Sequence, residues 1–129
     1  MLELGFAGFL LAHGGIHASF LAPRPPAKEG GPAWPFEVTH SWLLTPLGLS
    51  ARVLRALAIA LVALTLCGYA LAALGILGFL SSDLTAIAVT VASLSSILLL
   101  FLFFHPWLIV GVAIDLALIW IAMTRVLPA

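Results

Sequence analysis

The chain predicts an all-α fold: a polytopic four-helix transmembrane bundle, with a short interfacial helix between the first and second helices. Two observations carry this. Residues 4–22, 53–79, 84–104 and 107–124 are nearly uninterrupted apolar stretches, each close to the ~20 residues a helix needs to cross ~30 Å of hydrocarbon. The whole 129-residue sequence is also 64% apolar and only 8% charged, more apolar side chain than a soluble domain of this length could bury. A chain this short forms a single transmembrane domain, residues 1–129, with no second module.

The first stretch, 4–22, reads as a helix rather than a cleaved signal. Its leading residues Met1-Leu2-Glu3 carry an acid where a signal carries Lys or Arg, and the stretch outruns an h-region. The loop 23–50 opens with Pro23-Arg24-Pro25-Pro26 and continues through Lys28-Glu29-Gly30-Gly31-Pro32, a density of proline and glycine that stops a helix. From Pro35 onward Phe36, His40, Leu43, Leu44 and Leu47 recur at helical spacing. That spacing suits a helix lying in the interface, started by Pro35 and ended by Pro46 and Gly48, with Trp34 and Trp42 at headgroup level. Ser50 stands where a cap for the second helix belongs. Ser81-Ser82-Asp83 and Phe104-His105-Pro106-Trp107 are turns short enough to force antiparallel neighbours. Ser82 or Asp83 would cap the third helix, and Pro106 suits the first position of the fourth.

Arg24, Lys28, Arg52 and Arg55 lie on the side of the long loop, and Arg125 alone lies on the other. The positive-inside rule then places loop 23–50 in the cytoplasm and both termini outside, in the bilayer of a cell inner membrane. Five basic against five acidic residues leave no electrostatic footprint for nucleic acid. The single cysteine, Cys67, can form no intrachain disulfide and reads as a small packing residue.

Ionisable side chains inside the stretches are few, and they fall at matching depths. At 1.5 Å per residue His17 lies roughly 8 Å from the loop-side surface, with His13 and Asp115 both about 14 Å in. His105 stands at the turn on the same side, and His40 with Glu37 on the interfacial segment. Charge at bilayer depth is costly and marks candidate sites. These residues therefore suggest a pocket opening on the loop side, floored by His13 and Asp115 and rimmed by His17, His105 and His40. His13 and His17 share a face at i,i+4. Imidazoles so placed, with His40, can hold a transition metal, and imidazoles from two helices can ligate haem iron. Against this, His13 and Asp115 can simply pair to satisfy one another, with His40 and His105 as ordinary interfacial residues. The HxxxH pair lacks the Glu of a metalloprotease helix, and Glu37-Val38-Thr39-His40 lacks the second copy and extra carboxylates of a di-iron site. Asp115 must be protonated, paired or wetted. No serine nucleophile with a partner base, phosphate-binding glycine loop or cofactor fingerprint is present, and no catalytic residue is assigned.

Small-xxx-small pairs, Gly8/Ala12 and Gly15/Ser19 on the first helix and Ala56/Ala60 and Gly68/Ala72 on the second, read as packing within the chain, with homo-oligomerisation as the alternative. Ser93, Ser95 and Ser96 are expected to bond to carbonyls of their own helix. Trp34, Trp42 and Trp107 form a belt at the loop side, and Trp120 anchors the other face.

The segments Leu11-Ala12-His13-Gly14-Gly15-Ile16-His17, Trp34 through Thr45, and Phe104 through Asp115 resemble small uncharacterised bacterial membrane proteins. The size and four-helix plan are similar to DoxX-like proteins. The resemblance implies the topology and transfers no activity. The expectation is a protein that binds or helps to translocate a small hydrophobic or weakly polar molecule at His13, His17, Asp115 and His105. The alternatives are a haem- or metal-binding subunit of a membrane redox complex, or a purely structural subunit of a larger membrane complex.

Overall fold

The computed structural model describes residues 1–128 and is all-helical. Helix α1 spans Leu2–Ile16 and runs on as a 3₁₀ turn, His17–Leu21; α2 spans Ala51–Ile76; α3 spans Ser82–Leu102; and α4 spans Ile109–Met123, entered through a 3₁₀ turn at Pro106–Leu108. α2 and α3 by themselves, and α1 and α4 with their 3₁₀ extensions, are long and apolar enough to cross a membrane, as a multi-pass membrane protein requires. Their outward faces are strongly apolar: Leu11, Leu64, Leu71, Leu94, Leu98 and Trp120 are among the exposed side chains.

The ends of the helices have local causes. Ser50 caps α2, its hydroxyl accepting from the Val53 N–H at 3.4 Å, as expected. The cap of α3 is Ser81, which accepts from Leu84 N–H at 3.4 Å, one residue earlier than Ser82 and two earlier than Asp83. Helix α2 stops at Ile76, short of residue 79, because Gly78 turns to φ +87°. That left-handed residue lets the Phe79 N–H reach the Leu74 carbonyl at 3.0 Å, closing the helix as C-terminal glycines do.

The expected interfacial helix does not form. Residues 35–49 run as irregular chain with turns at 35–36 and 42–48, the second including one helical turn where Thr45 N–H meets the Ser41 carbonyl at 3.1 Å. Two local features compete with a helix. Glu37 turns back to accept from both the N–H and hydroxyl of Thr39, at 2.8 and 2.6 Å, which is how polar side chains divert the backbone. Pro46 disfavours helical geometry at Thr45 and offers no N–H. The segment is spent instead on α3, whose last carbonyls have no partner within the helix. Ser41 Oγ donates to Leu102 O at 2.6 Å and Trp42 Nε1 to Phe101 O at 2.7 Å.

Sequential neighbours pack in a row: α1 on α2, α2 on α3, α3 on α4. Gly68 permits the central contact, since a Cβ there would lie 2.8 Å from that of Ala92. The other small pairs do not pack inside the chain. Gly8, Ala12, Gly15, Ala56 and Ala60 are exposed, because the inner face of α1 is taken by Ala7, Leu10, His13 and Gly14, and that of α2 by Leu54, Ala58 and Leu61. Cys67 is likewise exposed rather than packed. Helices α1 and α4 do not form a packed pair, which leaves a seam along one side of the bundle.

Candidate functional site

Across that seam His13 Nε2 meets Asp115 Oδ1 at 2.8 Å, joining the two residues that depth counting had placed level. Both are buried, Asp115 completely. Asp115 is the centre of a network drawn from all four helices. Its Oδ1 also accepts from the hydroxyl of Tyr69 on α2 at 2.5 Å, and its Oδ2 from Ser96 on α3 at 2.5 Å. Tyr69 is held in turn by Ser93 at 2.9 Å. The close approach of α2 to α1 here depends on Gly14, where a Cβ would stand 3.1 Å from that of Tyr69.

His17 joins through Ser96, with Nε2 to Oγ at 2.6 Å. Its other nitrogen, Nδ1, lies 3.0 Å from the carbonyl of His13. That carbonyl is freed where α1 tightens, because the His17 N–H turns to Gly14 O. A carbonyl only accepts, so Nδ1 of His17 carries a proton. This settles how protons can be arranged. Ser96 has one O–H and two partners at hydrogen-bond distance, so a further proton must reside on one of them. With Asp115 neutral, its O–H donates to Ser96 and Ser96 donates to His17. With Asp115 ionised, a doubly protonated His17 donates to Ser96 and Ser96 donates to Asp115, which then accepts three hydrogen bonds. Either placement keeps every bond, so a proton can pass between the acid and His17 through the Ser96 hydroxyl without breaking the cluster.

The donor atoms of His13, His17 and Asp115 lie within 4.8 Å of one another, the one such grouping among the described residues suited to a metal ion. Asp115 takes the place expected of His40, which is exposed. His105 is also elsewhere: its Nδ1 accepts from the Trp107 N–H at 3.2 Å, capping the turn that opens α4. Both buried imidazoles therefore belong to the first segment, His13 on α1 and His17 on its 3₁₀ extension, and the opposed pair from two helices that would clamp a haem iron is not assembled among the described residues.

His13 and His17 face a cavity of about 900 Å³ that follows the α1/α4 seam to the loop. Phe20, Leu100, Leu108 and Ile114 wall it, and residues 24–28 and 31–36 cover its mouth, bringing in Arg24, Lys28 and Trp34. The covering loop is braced by Arg24 to Glu37 at 3.1 Å. The Thr39 hydroxyl, with its amide and Arg24 adding to the effect, holds the Glu37 carboxyl below its ordinary value.

Comparison with known proteins gives no match. Neither family models, curated proteins nor solved structures resemble this chain closely enough to count.

Three residues of the cluster escaped the sequence reading. Tyr69 carried a signal, as the sole tyrosine in the sequence set well inside an apolar stretch, where a phenol needs a partner. Ser93 and Ser96 share a face at i,i+3, yet serines in membrane helices ordinarily bond to their own backbone. Ser95 does so, to Val91 O at 2.8 Å.

Proposed function

We propose that this is a small inner-membrane protein that binds, or helps to move, a small and mainly apolar molecule in the crevice between α1 and α4. The observation that carries the reading is the cavity itself. It joins buried imidazoles at its inner end to the covered mouth at the loop, the combination of apolar walls and a few convergent polar groups that ligand sites share. The Asp115–Ser96–His17 hydrogen-bond chain, whose donors and acceptors can reverse, gives the inner end the means to respond to a ligand's own hydrogen-bonding group. The Lys/Arg asymmetry supports an orientation with loop 23–50 in the cytoplasm and the termini outside.

The test is mass spectrometry of small molecules retained by the protein in lipid nanodiscs, wild type against Ile114→Trp, whose larger side chain fills the crevice. Apolar molecules retained by the wild type and lost from a folded Ile114→Trp protein are the expected result. Identical retention in both overturns the reading.

A second reading, a metal site at His13, His17 and Asp115, is favoured by their mutual spacing. The hydrogen bond from His17 Nδ1 to a carbonyl is also the kind of outer contact that orients ligating imidazoles. Elemental analysis of the same preparations separates the two. Stoichiometric metal lost in His17→Ala supports the second reading, and its absence after metal loading rejects it.

A further inference from the structure

Resting on the crevice as a binding site, the charge and shape of its lining identify the ligand class. We infer that the crevice takes an amphiphile with an anionic head, a carboxylate or a phosphate ester, seated at the Arg24/Lys28 mouth with its apolar body along the α1/α4 seam.

Every ionisable residue lining the cavity is basic: Arg24 and Lys28 at the mouth, His13 and His17 within. No Asp or Glu lines it. Two carboxyl groups stand just outside the lining: Asp115, which meets His13 at 2.8 Å, and Glu37, which holds Arg24 at the mouth through a single contact at 3.1 Å. Arg24 thus keeps guanidinium donors for a head group, and a guanidinium suits planar or tetrahedral oxyanions. Lys28 makes no salt bridge among the described residues.

The walls specify the rest of the molecule. Below the mouth the lining is aliphatic and aromatic, including Ile16, Phe20, Leu100, Leu108 and Val110. The seam is a gap between unpacked helices, so a chain can enter sideways from the bilayer while its head stays at the interface. Trp34 and Trp107 flank the mouth, at the level where indoles sit among head groups. Basic pockets between transmembrane helices select anionic head groups on the same physical basis. A cationic head at the mouth would meet Arg24 and Lys28 with no carboxylate in the lining to receive it.

The experiment uses tryptophan quenching by amphiphiles brominated along the chain, added at trace mole fraction to neutral lipid nanodiscs. A brominated fatty acid, the matching amide, the matching amine and a brominated phosphatidic acid share one chain and differ in the head. Proteins retaining a single tryptophan, Trp34, Trp107, Trp42 or Trp120, report where quenching occurs.

Expected is saturable quenching of Trp34 and Trp107 by the acid or the phosphatidic acid, with Trp42 and Trp120 spared. Whichever of the two binds tighter names the source of the head group. Lys28→Gln and Arg24→Gln should each weaken binding about fivefold, and together roughly twentyfold, since a basic residue near an anionic head is worth about 1 kcal/mol. Arg52→Gln, at the exposed start of α2 and outside the cavity lining, should change nothing. Equal quenching by acid, amide and amine overturns the anionic class while leaving the crevice as a site. Equal quenching of all four tryptophans shows a surface effect and overturns the proposal. Quenching by none rejects the crevice reading itself.

Discussion

Replacing Asp115 with leucine removes the centre of the polar cluster, and the loss can be counted from its contacts. The carboxyl is hydrogen-bonded to His13, Tyr69 and Ser96 at 2.8, 2.5 and 2.5 Å. Hydrogen bonds between membrane helices are worth about 0.6 kcal/mol on average and up to about 1.7, so Asp115→Leu should destabilise the fold by about 2–5 kcal/mol. Two of the donors keep a second partner, Tyr69 with Ser93 and Ser96 with His17. Among side chains His13 bonds to Asp115 alone. His13→Leu should therefore cost about one such bond. The His13–Asp115 bond is lost in both single variants, so the double variant should cost about 1 kcal/mol less than their sum, beyond the ~0.3–0.5 kcal/mol scatter of independent sites. Reversible unfolding in mixed micelles, run on all four proteins, measures that coupling. Strict additivity, or a more stable Asp115→Leu protein, would refute the idea that this bond closes the seam.

Asp115→Asn should be far milder, within about 1 kcal/mol of wild type, because an amide reproduces the neutral-acid pattern: its oxygen accepts from His13 and Tyr69 while its NH₂ donates to Ser96. A loss as large as that of leucine would mean the cluster needs the carboxylate and a charged His17. For topology, a cysteine at Lys28 in a Cys67→Ala background should resist a membrane-impermeant thiol reagent in intact cells, and rapid labelling would reverse the orientation. Glu37, held below its usual value of 4.5, should brace the loop at any pH above that value and release it only as pH falls through the lower folded value. Hydrogen exchange at the Thr39 amide, corrected for intrinsic rate, should show protection persisting below pH 4.5, and protection lost above it would contradict the bracing.

The sequence exposed the His13–Asp115 pairing because both residues lie a short, countable distance from helix ends on one side, and helical rise converts that count directly to depth. Tyr69 resisted the same count because α2, at 26 residues, exceeds the bilayer, and its register against its neighbours is set by Gly14 and Gly68 rather than by its ends. Ser93 and Ser96 were misjudged because the local alternative, back-bonding, is the usual one, and only the approach of Tyr69 to Ser93 and of Asp115 and His17 to Ser96 decides against it. The segment after Pro35 misled in the opposite way. Its apolar spacing is helical, yet Ser41 and Trp42 are drawn off by the open carbonyls of α3, a tertiary demand that periodicity does not register. His105 and His40 shared a side with the cluster but not a helix face, and same-side counting cannot tell the two apart.

Asp115 sits in the fourth helix, and each of its donors belongs to a helix made before it. That order matters for biogenesis. An aspartate at the centre of an isolated helix raises the cost of entering the bilayer by about 2.5–3.5 kcal/mol. By the time α4 is presented, His13, Tyr69 and Ser96 are already in the first three helices, facing the groove that α4 must fill. The acid is thus delivered to a waiting set of proton donors rather than to bare lipid. A chain truncated before Ile109 would leave those three donors without the acid that joins them.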